Sequence, residues 1–278
     1  MKAREVNYLT MTDGTGLFYK DWGQGKPIVF SHGWPIDADV WDPQMLYLLH
    51  RGYRVIAYDR RGQGRSSQPF HGHRMDDYAD DLAALLDALD IRDAALIGHS
   101  TGVCEIARYI GRSGTQRVSR VIMVAAMPAQ LLKTPTNPNG EPIERFDTLR
   151  GQIATNRAQF FRDLAKTFFG FNRPGSHVQQ GVVDWFAAMG MRGSVHAQYE
   201  SIKAFSETDL TEDLRSFDVP TMFIHGNDDQ MAPIANSTVQ ASKLVRNSIV
   251  RIYPGGAHGL CTTMPDQVSA DIFAFLAD

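Results

Sequence analysis

The chain has 278 residues, 43% of them hydrophobic, and a formal net charge of −3. That size suits one large folded domain with room for an inserted subdomain, and the near-neutral balance gives no footing for nucleic acid or an anionic membrane as partner. Two cysteines, Cys104 and Cys261, are too few for a disulfide framework, no apolar run reaches membrane-spanning length, and Met1 to Val6 lack the apolar core of a signal peptide, so a cytoplasmic setting is expected.

In chain order, Val6 to Thr12 and Leu17 to Trp22 read as an opening hairpin around Asp13-Gly14-Thr15-Gly16. Pro27-Ile28-Val29-Phe30-Ser31 reads as a buried strand, followed by His32-Gly33-Trp34-Pro35. The backbone N–H after a His-Gly pair can face a developing oxyanion, which gives that role to Trp34 while its ring packs in the core. A strand over 54–58 leads into Gly62-Gln63-Gly64-Arg65-Ser66, which lacks the lysine and spacing of a phosphate loop and reads as a tight turn. His71 and His73 form an H-x-H pair in a polar loop, too few ligands for a metal site. The helix expected over Asp76 to Asp90 sets Tyr78, Leu82, Leu85, Leu86 and Leu89 on one face and aspartates on the other.

The next stretch carries the most chemistry. Ala94-Ala95-Leu96-Ile97 reads as a strand and Val103 to Gly111 as a helix, with Gly98-His99-Ser100-Thr101-Gly102 between them. A G-x-S-x-G pentapeptide at a strand-to-helix turn lifts the serine hydroxyl into a cleft. Such a turn crowds the positions two before and two after the serine, which Gly98 and Gly102 tolerate. The N–H of Thr101, at the helix N-terminus, is the second expected oxyanion donor. His99 points elsewhere and is not the expected base; Cys104 and Cys261 read as structural free thiols.

After a strand near 120–126 the rhythm breaks. Residues 129–218 show helical patterns without a convincing strand and read as a cap, splitting the core into 1–128 and 219–278. Trp185, Phe186 and Met189 from this cap, together with Pro35, are expected to wall an apolar pocket above Ser100. Strands near 220–225 and 249–253 then lead into His225-Gly226-Asn227-Asp228-Asp229-Gln230 and Pro254-Gly255-Gly256-Ala257-His258-Gly259. An acid and a histidine past two strand ends reach the rim that holds Ser100, in the chain order Ser, Asp, His. Two adjacent aspartates compete for the acid. A last helix from Pro265 buries Val268, Ile272, Phe275 and Leu276. The expected fold is α/β, a mostly parallel eight-stranded sheet flanked by helices under a helical cap.

These residues resemble the α/β-hydrolases, and within them the bacterial arylesterases and cofactor-free haloperoxidases, also called perhydrolases. The resemblance runs through Tyr19-Lys20-Asp21-Trp22-Gly23, His32-Gly33-Trp34-Pro35, Tyr58-Asp59-Arg60-Arg61-Gly62-Gln63-Gly64-Arg65-Ser66, the serine turn, His225 to Gln230 and Ala257-His258-Gly259, and is weakest in the cap. It implies Ser100 as nucleophile, His258 as base, Asp229 rather than Asp228 as acid, and Trp34 and Thr101 as oxyanion donors. It also implies that Pro35 turns the Trp34 carbonyl towards bound hydrogen peroxide. Val103 and Cys104, where many relatives have glycines, are expected to narrow the pocket or shift the helix packing. Gln63 replaces a common histidine at a position read as peripheral, and Asn227 removes a charge near Asp229.

The expected reaction is cleavage of a small carboxylic (aryl) ester through an acyl-serine, with water or hydrogen peroxide as acceptor and no cofactor or metal. A peracid formed in this way would oxidise halide in solution. A histidine base must be neutral to work, so activity is expected to fall in acid. Amide or lactam hydrolysis by the same triad and a non-catalytic ligand-binding role stay open. A dehalogenase or epoxide hydrolase is disfavoured, since those relatives place aspartate where Ser100 stands. Self-association is not decided by the sequence.

Overall fold

The computed structural model describes residues 7–277; Val6 and the other residues behind the signal-peptide reading lie outside the described residues. Strands β1 (Tyr8–Thr10) and β2 (Gly16–Trp22) form the antiparallel opening hairpin, and β2 then pairs antiparallel with β4. From there the chain alternates: β3 (Pro27–Ser31), α1 (Asp42–Leu49), β4 (Arg54–Tyr58), α2 (Met75–Ala88), β5 (Ala94–His99), α3 (Thr101–Ser113) and β6 (Val118–Val124). Four helices intervene before the next strand, α4 (Ile143–Phe168), α5 (Gln180–Arg192), α6 (Val195–Glu207) and α7 (Thr211–Arg215). The sheet closes with β7 (Thr221–Gly226), α8 (Thr238–Leu244) and β8 (Ser248–Tyr253), followed by α9 (Leu260–Thr263) and α10 (Pro265–Ala277).

The eight strands lie in the order β1-β2-β4-β3-β5-β6-β7-β8, parallel from β4 onwards. Parallel strands need covering on both faces, so their residues are apolar on both sides. Ile28 and Phe30 of β3 pack in one apolar cluster and Val29 in the other; Ile97 and Leu96 of β5 divide in the same way. The order of strands reverses between β3 and β5. A crevice forms outside the carboxyl ends of strands at such a switch point, and the loops carrying Trp34 and Ser100 leave the sheet there.

Local differences from the sequence reading have local causes. The strand expected over 120–126 runs from Val118 to Val124, because Ala125 takes a positive φ of 48° and turns the chain away. The helix expected up to Asp90 stops at Ala88, and Asp90 is itself left-handed, at φ 44°. Its aspartates do not all face water: Asp81 is buried and accepts from Arg61 Nε at 2.6 Å. Gln63 is buried rather than peripheral, facing Gln198 of α6. Helix α4 is broken at Asn156 (φ −153°, ψ 72°), whose Oδ1 accepts from the N–H of Gln159. Among the described residues no helix is long and apolar enough to cross a membrane.

Candidate active site

Ser100 sits between β5 and α3 with φ 53° and ψ −118°. This left-handed backbone is costly for a residue with a side chain and persists only where tertiary contacts impose it. Those contacts are visible. A Cβ on Gly98 would lie 2.8 Å from the Gly102 backbone, and one on Gly102 only 2.3 Å from the Ser31 carbonyl oxygen. The Ser100 N–H donates to Val124 O at 3.0 Å, fixing the turn against β6.

Three elements bring the triad candidates together. His258, on the loop after β8, has Nε2 at 2.9 Å from Ser100 Oγ and Nδ1 at 2.7 Å from Asp229 Oδ2. A carboxylate oxygen only accepts, so Nδ1 carries the proton and Nε2 is free to take that of Ser100. Asp229, on the loop after β7, is buried, and its Oδ1 accepts from the N–H groups of Met231 and Ala232, both at 2.8 Å. Burial alone would raise the Asp229 pKa. The electrostatic attraction of His258 and the hydrogen bonds from His225 and His258 outweigh it and hold the carboxyl well below the usual range. Asp228 is turned away to pair with Arg173 at the surface, with Nε to Oδ2 at 2.7 Å.

The chain around these groups is equally determined. His225 is fully buried; its Nε2 donates to the Ala232 carbonyl at 2.9 Å and lies 3.0 Å from Asp229 Oδ2, while Nδ1 meets Thr238 Oγ1 at 2.7 Å. His225 belongs to the motif that carries the acid but has no role of its own in the sequence; its position at the end of β7 is the one signal for it. Asn227, read as a lost charge, is a fastener: its Oδ1 accepts from the Gly255 N–H at 2.7 Å and joins the acid loop to the base loop. His99 donates through Nε2 to the His258 carbonyl at 3.0 Å; burial and the neighbouring His258 keep its pKa down, at about 3.

Trp34 follows β3 beside the serine turn. The Gly33 carbonyl accepts from His32 Nδ1 at 2.7 Å, and His32 Nε2 accepts from the Arg60 N–H at 2.9 Å. A trans peptide points its C=O and N–H in opposite directions, so the His32 ring sets the direction of the Trp34 N–H. Among the described residues the N–H groups of Trp34 and Thr101 have no protein acceptor.

Ser100 opens into a cavity of about 480 Å³. Trp34, Met127, Phe146, Leu164, Phe168 and Phe205 give it apolar walls, and Gln130, Asn137, Glu141, Arg145 and Asn236 add polar and charged lining. Pro35, Trp185, Phe186 and Met189 do not line it, which corrects the expected pocket. Phe186 packs on Phe168, ring centroids 4.8 Å apart, so Phe168 takes the place against the cavity. Phe186 and Met189 are buried in the apolar cluster, Trp185 packs against it, and Pro35 is buried behind Trp34. Val103 and Cys104 also face core rather than cavity. Burial pushes the Cys104 thiol up to about 12. A wider hollow of about 1590 Å³, bordered by His71 and His73, holds none of the triad candidates.

The model of the α/β-hydrolase fold family matches residues 26–263. The chain belongs to this family. Within it, the hydrolase is 53% identical to a non-haem haloperoxidase of Rhodococcus erythropolis, over 97% of this chain and 98% of the relative. It is 44% identical to a bifunctional esterase/perhydrolase of Acinetobacter calcoaceticus, over 98% and 99%. Among solved structures it resembles a bromoperoxidase from Bacillus anthracis, with a TM-score of 0.92 and 35% identity over 95% and 96% of the two chains. The eight-stranded sheet and flanking helices are those of an α/β-hydrolase.

Proposed function

We propose that the protein is a serine esterase that transfers the acyl group of a small carboxylic ester to water or to hydrogen peroxide. The observation that carries this is the hydrogen-bonded series Ser100 Oγ, His258 Nε2, His258 Nδ1, Asp229 Oδ2, opening into a cavity with both aromatic and polar walls. Ser100 Oγ attacks the ester carbonyl as its proton passes to His258 Nε2. The carbonyl oxygen becomes an oxyanion between the N–H groups of Trp34 and Thr101, and Asp229 holds the imidazolium that forms. The C–O bond to the alcohol breaks and His258 protonates the leaving oxygen. Water or peroxide then attacks the acyl-serine, giving its proton to His258, and a carboxylic acid or a peracid departs. A peracid released this way oxidises halide in solution. The relatives named for haloperoxidase and esterase/perhydrolase activity support the same reading.

The aromatic walls suit an ester with an apolar body, and the net charge of −3 gives nucleic acid or an anionic membrane no footing as partner. The residues from 129 to 218 act as its cap. The test is turnover of p-nitrophenyl acetate by wild type and Ser100→Ala at matched purity. Loss of ~10⁴-fold or more in kcat is expected by analogy with other triads. Equal turnover by the two proteins would refute the serine assignment. Adding peroxide and monochlorodimedone-type halogen acceptors with bromide then reads the peracid branch.

A further inference from the structure

Beneath the serine turn lies an ion pair that the reaction as written does not use. Arg60, at the end of β4, and Glu105, in the second turn of α3, are 3% and 0% exposed. Arg60 Nε and Nη2 reach Glu105 Oε2 at 2.9 and 2.6 Å. Glu105 also accepts from Ser31 Oγ at 2.8 Å and from the Tyr58 hydroxyl. Arg60 Nη2 donates to the His32 carbonyl at 3.0 Å, and Nη1 lies 3.4 Å from Thr101 Oγ1. A buried ion pair is a poor source of stability, because desolvating two charges consumes most of the attraction between them. Its presence therefore asks for another account. The contacts provide one: apart from the Tyr78 ring of α2, which faces the guanidinium at 5.0 Å, every hydrogen-bonding partner of the two side chains belongs to the end of β3, the end of β4 or the first turns of α3. The first and last of these carry the Trp34 and Thr101 N–H groups.

We propose that Arg60 and Glu105 are positioning residues for the oxyanion hole, clamping the loop after β3 to the start of α3 so that the two N–H groups converge. This rests on the reading of Trp34 and Thr101 as oxyanion donors. The approach being clamped is close: a Cβ on Gly33 would lie 3.0 Å from Ser100 Cβ, and one on Gly102 2.9 Å from the His32 oxygen. A guanidinium fork can hold the carboxylate, the His32 carbonyl and the Thr101 side chain together, whereas an ammonium is a single point donor.

The deciding variant is Arg60→Lys, which keeps the charge and loses the fork. For p-nitrophenyl acetate, kcat should fall ~10–100-fold with KM within ~2-fold, since oxyanion donors act on the transition state. The inhibition constant of a trifluoromethyl ketone, which forms a tetrahedral oxyanion on the serine, should rise by a similar factor. The acid limb of the pH–rate profile should stay in place, because the contacts among Ser100, His258 and Asp229 are untouched. If Arg60→Lys does not fold, the apolar pair Arg60→Met with Glu105→Leu removes both charges together, and the same losses are expected. A folded variant that keeps kcat within ~3-fold, or loses kcat with the ketone constant unchanged, overturns the proposal. Wild-type protein that the ketone fails to inhibit defeats the serine reading itself, before any Arg60 variant is compared.

Discussion

Ser100 at φ 53° is a residue whose backbone would relax if its neighbours allowed it, and the two glycines beside it show why they do not. Identity at single positions matters as much for the acid. Asp228 and Asp229 are adjacent in sequence, yet one is exposed to an arginine and the other is buried with both oxygens engaged. Asp229→Asn should lower kcat ~10⁴-fold, as loss of the orienting acid does in comparable triads, because an amide cannot hold the Nδ1–H tautomer of His258. Asp228→Asn removes a surface ion pair of small worth and should leave kcat within ~3-fold. Steady-state kinetics on the two variants decide the assignment, and similar losses in both would overturn it. The residues of the triad candidates were legible in the sequence because each sits on a short motif past an apolar run. His225, Arg60 and Glu105 were not, because their importance lies in what the fold brings beside them.

At the scale of elements, the strands were legible from apolar runs broken by turn residues, and the hydrolase order of the sheet follows from which of those runs alternate with helices. The segment between β6 and β7 was legible only as helical. Helical spacing shows that aromatic side chains share a face; it does not tell which face turns to the serine. Phe186 and Met189 consequently read as pocket walls although Phe186 packs on Phe168 and both are buried in the core, while Phe146 and Leu164 of α4 line the cavity. The two positions make opposite predictions. Met189→Ala should cost ~2–5 kcal/mol of stability, as buried large-to-small changes do, without changing the ranking of ester substrates. Leu164→Trp should fill the cavity, cutting kcat/KM for bulky aryl esters ~10-fold or more while sparing acetates. Thermal melts and a panel of p-nitrophenyl esters of increasing acyl length measure both, and a changed substrate ranking in Met189→Ala would return that residue to the pocket.

The whole molecule carries several buried titratable groups, and their signs decide its behaviour in acid. His32 and His99 are held down to about 3: burial dominates for both, with Arg60 adding to it for His32 and His258 for His99. An unfolded histidine binds its proton near pH 6.5, so the stabilisation from these neutral rings is complete above that pH and is lost as the pH falls. Asp37 and Asp81, pushed up to about 6 chiefly by burial, run the other way: their contribution is present below about pH 4 and lost as the pH rises through 6. The histidine displacement is the larger of the two; Asp229, held low, loses its contribution only below about pH 4. The melting temperature should therefore drop between pH 6.5 and 4; a flat or rising profile would contradict neutral buried rings. The fastening of Asn227 to Gly255 has a different consequence, in time rather than energy. The nucleophile leaves the ribosome 158 residues ahead of the base, roughly ten to thirty seconds at ordinary rates of synthesis. Throughout that interval the serine turn has no base beside it. The acid and base loops meet only when the last two strands pair, with Asn227 Oδ1 on the Gly255 N–H and the Asp228 N–H on the Gly256 carbonyl.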